Sequence, residues 1–475
     1  MAVEYDLVVI GGGSAGLTAA SAGAQLKAKV ALVEKEGKLG GDCLHSGCVP
    51  SKSLIHAARV AHTVRQGYRF GVHTNPPEIN LHEALGHVHR VIDTIQEYDS
   101  PQRFEGLGVE VIFGEGQFTD RCTFTVNGRD LKARAFIIAT GSRPATLPIP
   151  GLQEAGYLTN QNVFQLQEQP KSMAVIGGGP IGSELGQSFS RLGTEVTIIA
   201  SRETILPKED PEAAKVVQQQ MEAEGVRILT HTRAERVDVI DGKKHVWAGD
   251  QEVVVDEILL STGQVPNVEF LNLEAAGVEI GKKGITVNAK LQTTNPRIYA
   301  AGDVIGGYQF THVAGSEAAV ALQNALLFPF KKMNYRVIPW ATFTDPELAR
   351  VGLTEAEARE QYGDDICVLK QEFAEVDRAL AEAAGYGFAK VITRSNGEIL
   401  GAHIVGPAAG EVIHEVVLAM SQKLKVSTLR MIHIYPTLTE VNSKAALQLT
   451  KQKYAKNSRL QSILTKVFEV LRSLS

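Results

Sequence analysis

The sequence predicts an α/β fold, with two Rossmann-like dinucleotide-binding domains followed by a C-terminal α+β domain. Three observations carry that prediction. A glycine-rich turn occurs twice, at Gly11-Gly12-Gly13-Ser14-Ala15-Gly16 and at Gly177-Gly178-Gly179-Pro180-Ile181-Gly182. Each turn sits between a short apolar run and a helical pattern that leads to a second apolar run, which is the order of a βαβ unit. From Pro339 onward the pattern changes to strands broken by the turn Ser395-Asn396-Gly397 and then a helix near 410–422. With 475 residues the chain has room for several domains, expected at 1–147, 148–266, 267–337 and 338–475.

Composition narrows the class. Hydrophobic residues at 44% and charged residues at 21% are ordinary for a soluble globular chain. A net charge of −5 gives no reason to expect nucleic acid as a partner. No apolar run reaches the roughly 18 residues of a membrane span, and the N-terminus leads into a strand without a basic leader. A cytoplasmic protein is expected. Four cysteines (43, 48, 122 and 367) are too few for a disulfide framework, so a close pair reads as catalytic.

In the first unit, Tyr5-Asp6-Leu7-Val8-Val9-Ile10 is a buried strand, 17–27 a helix and 29–33 the second strand. Gly11 and Gly13 allow the tight turn and close pyrophosphate approach, and Gly16 lets helix pack on strand. Glu34 follows Gly16 by 18 positions, where an acid accepts from ribose hydroxyls. Helices are expected at 51–66 and 81–98. His82, His87 and His89 lie along the second with no carboxylate pattern to complete a metal site, so they read as solvated. Strands 109–113 and 122–126 precede the turn Asn127-Gly128. The strand from Phe136 ends in Thr140-Gly141, and Pro144, Pro148 and Pro150 mark a boundary. The second unit has strand 173–176, helix 181–192 and strand 195–199. The run from Ile258 repeats the ending as Thr262-Gly263.

Between the first unit and the next helix lies Gly40-Gly41-Asp42-Cys43-Leu44-His45-Ser46-Gly47-Cys48-Val49-Pro50-Ser51-Lys52. Residues five apart in an ideal helix have Cα atoms about 8–9 Å apart, whereas a disulfide wants under about 7 Å. Closure therefore needs a distorted backbone, which Gly47 permits, and Pro50 is tolerated in a first turn. The stretch reads as a strained helix start carrying a reducible disulfide. Two buried free cysteines are the plainer reading, and no second cysteine pair lies near enough for zinc. A helix N-terminus lowers the pKa of a nearby thiol.

This stretch resembles the redox motif of the FAD-dependent pyridine nucleotide–disulfide oxidoreductases, a family that includes dihydrolipoamide dehydrogenase, glutathione reductase and mercuric reductase. The resemblance extends over about residues 4–455 and assigns FAD to the first glycine turn and NAD(P)H to the second. It implies FAD contacts from Gly11, Gly13, Ser14, Ala15, Gly16, Glu34, Lys35, Gly41, Asp42, Cys43, Lys52, Gly116, Thr140 and Gly141. Gly302 and Asp303 of Ala301-Gly302-Asp303 return to the flavin, and Thr311 and His312 lie in a segment near its ring system. Gly177, Gly179, Pro180, Ile181, Gly182, Ser201, Arg202 and Gly263 form the nicotinamide-nucleotide set. An acid after the second strand would repel a 2′-phosphate, whereas Arg202, Ser201 and Lys208 can bind one. NADPH is favoured over NADH, with Gly182 and Glu203 counting the other way.

The resemblance makes Cys48 the flavin-proximal thiol and Cys43 the interchange thiol. Lys52 pairs with an acid near the flavin, here Glu184. The C-terminal run Ile432-His433-Ile434-Tyr435-Pro436-Thr437-Leu438-Thr439-Glu440 resembles the acid–base segment that reaches a partner subunit, so a homodimer is expected. Dihydrolipoamide and glutathione reductases carry a histidine immediately before Pro-Thr; here Tyr435 replaces it, while the orienting acid Glu440 is present. His433 lies two residues earlier, about 7 Å away by strand rise. Tyrosine at this place, together with 376–381 and 200–202, is similar to the mercuric-reductase branch. That branch ends in a vicinal cysteine pair, and no cysteine follows Cys367 here, which counts against efficient Hg(II) detoxification. The acceptor is expected to be Hg(II) or another metal ion, a quinone-like electrophile or an unusual disulfide. No resident metal is expected, and Hg(II) would meet Cys43 and Cys48 as substrate. The alternatives are dihydrolipoamide dehydrogenase and a flavoprotein redox sensor without turnover.

Overall fold

Strands form where apolar residues run without interruption, because both faces of the first sheet are covered. In the strand Tyr5–Ile10, Leu7 and Val9 face one apolar cluster, and Val8 and Ile10 face the other. Each such side chain contributes about 1.5–3 kcal/mol by leaving water. This computed structural model describes residues 3–474. The chain groups into two units, Met1–Ser201 with Thr232–Asn334, and Arg202–His231 with Tyr335–Ser475.

In the first unit a parallel sheet runs in the order Val109–Phe113, Val30–Glu34, Tyr5–Ile10, Arg129–Ile138, Ile298–Ala300. The strand Arg129–Ile138 is long enough to serve two sheets. Its first part pairs antiparallel with Thr123–Val126, which pairs with Gly116–Asp120. Helices Ser14–Gln25 and Thr311–Leu326 pack on the Leu7/Val9 side. A second parallel set, Glu257–Leu260, Ser172–Ile176 and Glu195–Ile199, carries helix Pro180–Arg191. A meander of Ala234–Ile240, Lys243–Ala248 and Gln251–Val255 lies beside it in sequence. Ser142–Pro144 pairs antiparallel with Gln264–Pro266, so the two Thr-Gly endings are stitched together.

The second unit is built on an antiparallel sheet in the order Pro339–Thr342, Glu347–Gly352, Ile399–Gly406, Phe388–Arg394, Ile366–Glu372. Val416, Ala419 and Met420 of helix His414–Ser421, with Val441 and Ala445 of helix Glu440–Lys456, cover it. Two expectations shift. By its sequence the run from Gly315 to Leu327 reads as a helix; that helix begins at Thr311, and Gly315 lies inside its second turn, with Thr18 Oγ1 3.8 Å from where a Cβ would stand. A glycine inside a helix lowers its stability without ending it, so Gly315 does not mark the start. The helix at 410–422 is two pieces, Ala409–Val412 and His414–Ser421, joined at Ile413. The tail continues as helix Ser458–Leu474.

Candidate active site

The two glycine turns repeat one geometry. Gly11 has φ +106°, and a Cβ there would lie 2.4 Å from Ala139 O; Gly177 has φ +118° and would meet Ser261 O at 2.5 Å. A Cβ on Gly16 would fall 1.8 Å from Gly11 O, and one on Gly182 would fall 2.1 Å from Gly177 O. Only glycine lets these helices start against the strand ends. Gly13 caps helix Ser14–Gln25 with no side chain to accept from its first turn, which leaves N–H groups aimed at an anion site. Pro180 follows Gly179 at the start of the second helix.

Several expected residues converge on the first turn. Glu34 accepts from the amide of Gly12 at 2.6 Å and from that of Glu36 at 2.8 Å. Lys35, next to it, is exposed and pairs with Glu36. A Cβ on Gly41 (φ +60°) would come 2.7 Å from Gly13 Cα, so the redox stretch passes directly over the turn. Gly302 approaches from the other side: a Cβ there would lie 3.4 Å from Ala15 Cβ, and its amide donates to the fully buried Glu317 at 2.7 Å. Asp303 accepts from the hydroxyl of Ser142 at 2.7 Å, and burial holds its pKa above the usual carboxylate range, with the Asp42 charge adding to the effect. Thr140 donates to Asn267 O at 2.7 Å, and Gly141 O accepts from the amide of Asn267 at 3.0 Å, while Ala145 donates to Gly263 O at 2.9 Å. Gly116 has a packing role of its own, since a Cβ there would meet the Phe124 ring at 2.5 Å. Ser201 and Arg202 are both exposed.

The glycine-lined cradle, with the exposed carboxylate of Asp42 and the half-buried one of Asp303, fits a dinucleotide laid across the first turn. A carboxylate short of solvent is suited to accept from sugar or ribityl hydroxyls.

The cysteines stand at this cradle as two thiols. Cys43 lies in the short helix Gly41–His45, and Cys48 is the first residue of helix Cys48–Arg65. The Cys48 sulfur lies 3.3 Å from the hydroxyl of Thr311, itself the first residue of helix Thr311–Leu326. Two positive helix ends therefore meet at one sulfur. The hydrogen bond from Cys43 brings the Cys48 pKa down to about 6 against the cost of burial, helped by Thr311 and by the charge of Lys52. Cys43 moves far upward, because it donates to Cys48 and is desolvated; the hydroxyls of Thr311 and Ser14 offset this only in part. Lys52, one turn further on, donates to the buried Glu184 at 2.9 Å from helix Pro180–Arg191. His312 is exposed and stacks on Phe310, with centroids 5.6 Å apart.

Sequence reasoning missed the support beneath this pair. Asn160 is buried and donates to Asp42 at 3.1 Å and to Ser46 O at 3.2 Å, tying down the loop between the cysteines. No local signal marks it, since it lies 118 positions from Asp42. Ser142 is within reach of the sequence, as it directly follows Thr140-Gly141.

In the second unit Tyr435 is exposed, and its hydroxyl donates to Asp377 at 2.7 Å. That bond, together with the carboxylate's charge, raises the tyrosine pKa. Glu440 accepts from the amide of Thr437 at 3.2 Å. His433 is turned away to Glu415, 3.2 Å from its Nε2, with Nδ1 2.9 Å from Met431 O. Both ring nitrogens are engaged, in a His433–Glu415–Asn442 network. Among the described residues no group of three or more His, Cys, Asp or Glu is arranged to hold a metal ion, and no helix is long and apolar enough to cross a membrane.

Comparison with known proteins points the same way. Residues 338–446 match the dimerisation domain of the pyridine nucleotide-disulphide oxidoreductases. The mercuric reductase of Staphylococcus aureus is 37% identical over 456 residues, covering 94% of this chain and 83% of the relative. The dihydrolipoyl dehydrogenase of Thermus scotoductus is 38% identical over 463 residues, covering 94% and 98%. Among solved structures, the Cu(II) complex of the HOCl-induced flavoprotein disulfide reductase RclA from Escherichia coli superposes with a TM-score of 0.83 at 28% identity, covering 92% of this chain and 98% of that one. Proteins of this kind are FAD-dependent and use NAD(P)H. With residues 5–318 matching the family's pyridine nucleotide-disulphide oxidoreductase domain, the chain belongs to the pyridine nucleotide-disulphide oxidoreductases.

Proposed function

We propose that this enzyme is a homodimer that uses NADPH, or NADH less well, to reduce a soft metal ion or a quinone-like electrophile through a Cys43–Cys48 pair cycling between dithiol and disulfide. FAD, when bound, supplies the two-electron relay between the nicotinamide and the cysteines. The chain's own part is to keep Cys48 as thiolate near neutral pH, to hold Lys52 on Glu184, and to leave Cys43 to exchange with the acceptor. Arg202 and Ser201 favour the 2′-phosphate of NADPH.

One observation carries the choice of acceptor. Oxidation of a dithiol substrate such as dihydrolipoamide needs a base that titrates near neutral pH. The residue before Pro436 is Tyr435, bonded to Asp377 with its pKa raised further from neutrality, and His433 is committed to Glu415. A soft cation or quinone asks for no such base. The Cu(II) complex of the related reductase adds copper to the ions worth testing.

The test is anaerobic titration with NADPH and with NADH while the flavin spectrum is followed, then addition of Hg(II), Cu(II), a benzoquinone, oxidised glutathione or dihydrolipoamide. Continued NADPH consumption with a metal ion or the quinone supports the proposal, and Tyr435→His should raise dihydrolipoamide oxidation by about 100-fold, the scale of a positioned general base. Rapid NADH formation from dihydrolipoamide by the unaltered enzyme would make it a dihydrolipoamide dehydrogenase.

A further inference from the structure

The helix Ser458–Leu474 lies past the matched dimerisation segment, and the proposed chemistry does not use it. None of its described side chains is buried. At about 100° per residue, Leu460, Ile463, Val467, Phe468, Leu471 and Leu474 share one apolar arc, and Phe468 and Leu471 are 53% and 55% exposed. Arg459 and Lys466 border one edge of that arc and Arg472 the other, while Glu469 sits in the middle of the polar face. The last 25 residues hold six Lys and Arg against one acid, in a chain whose net charge is −5.

A helix draws most of its stability in a protein from packing an amphipathic face, so this apolar face needs a cover. A second copy of the same helix is the poorer cover. Two such faces packed together by a two-fold axis would set rows of like cations beside each other. An anionic bilayer takes both features at once: headgroup phosphates meet the flanking cations, and the acyl boundary receives the apolar arc. We propose that Ser458–Leu474 is an interfacial anchor that docks the enzyme on anionic phospholipid surfaces, lying in the membrane plane.

The experiment is flotation of the full-length, FAD-loaded enzyme with vesicles of phosphatidylcholine alone, or of phosphatidylcholine and phosphatidylglycerol in equal parts. Binding to the anionic vesicles is expected to be about 100-fold tighter, from three cations near the surface, and to weaken as salt is raised. Lys466→Glu with Arg472→Glu should erase the preference between vesicles. Val467→Asp with Leu471→Asp should abolish flotation while leaving NADPH-dependent turnover in solution unchanged, because these side chains are exposed. An enzyme that stays at the bottom of the gradient with both vesicles overturns the proposal. If it also assembles beyond the proposed dimer on sedimentation, and the Val467→Asp/Leu471→Asp pair ends that further assembly, a second copy covers the helix instead.

Discussion

At the scale of single residues, the site turns on which sulfur is the anion. Cys48 gains from a hydrogen bond donated by Cys43, from Thr311 and from the Lys52 charge, while burial opposes all three. A thiol held at about 6 is already thiolate at neutral pH and gives up that state only below pH 6. Alkylation of Cys48 in the reduced enzyme, read by mass spectrometry across pH, should therefore rise with a midpoint near 6. Lys52→Met should move that midpoint upward, and Cys43→Ala should move it further, because the Cys43 bond is the larger influence. A midpoint near the roughly 8.5 of a free thiol in the unaltered enzyme would remove the basis for Cys48 as the resident thiolate. The sequence motif made both cysteines and Lys52 legible, because their spacing and order are local, and Glu184 was legible only from its place two residues past Gly182, since it meets Lys52 across 132 positions. Asp377, Glu415 and Asn160 were not, because each meets its partner only through the fold. Tyr435 and Asp377 lie 58 positions apart, and nothing near either marks the other.

At the scale of elements, periodicity and punctuation decided what was readable. The strands of both βαβ units carry unbroken apolar runs, and their glycine turns fix where each helix starts, so expected and observed bounds lie close together. The start of helix Thr311–Leu326 was hidden because Phe310, its cap, offers no side-chain acceptor to announce it. The same blindness applies to buried charge. Lys390 on strand Phe388–Arg394 is buried and pairs with Asp210 at 3.0 Å and Glu212 at 2.7 Å, and Asp210 also caps helix Pro211–Ala223. Burial works against the ammonium, yet the bonds to Glu212 and Asp210 outweigh it and hold its pKa above the ordinary value. A raised lysine pKa means that this contribution is complete below about pH 10 and is lost only as pH climbs through the folded value. Asp210→Ala removes the cap and the buried one of the cation's partners, leaving Lys390 to Glu212 and the more distant Glu355, and should lower stability by about 1–3 kcal/mol, read as a shift of the urea midpoint at neutral pH. Adding Lys390→Met to that variant should recover part of the loss. If the double variant is no more stable than Asp210→Ala, the pair is not what ties helix to strand.

At the scale of the whole molecule, the proposed homodimer has to account for an apolar segment that the single chain leaves in water. Met431, Ile432, Ile434 and Tyr435 are all exposed, with Ile432 at 100% and Ile434 at 81%, inside the segment that matches the family's dimerisation domain. Burying one such side chain is worth about 1.5–3 kcal/mol, and in a two-fold dimer every contact is made twice. Charging the two isoleucines is therefore a test of the proposed interface that leaves the fold untouched, because both lie almost wholly in water on their own chain. Ile432→Asp with Ile434→Asp should yield a monomer on sedimentation that keeps its flavin and is still reduced by NADPH. Acceptor turnover should fall by at least about tenfold, since the segment bearing Tyr435 would lose its place on the partner. The readouts separate two failures. A variant that remains dimeric would put the interface elsewhere, whereas a monomer with undiminished turnover would show that each chain completes its own acceptor site and that Tyr435 acts in no partner's chemistry.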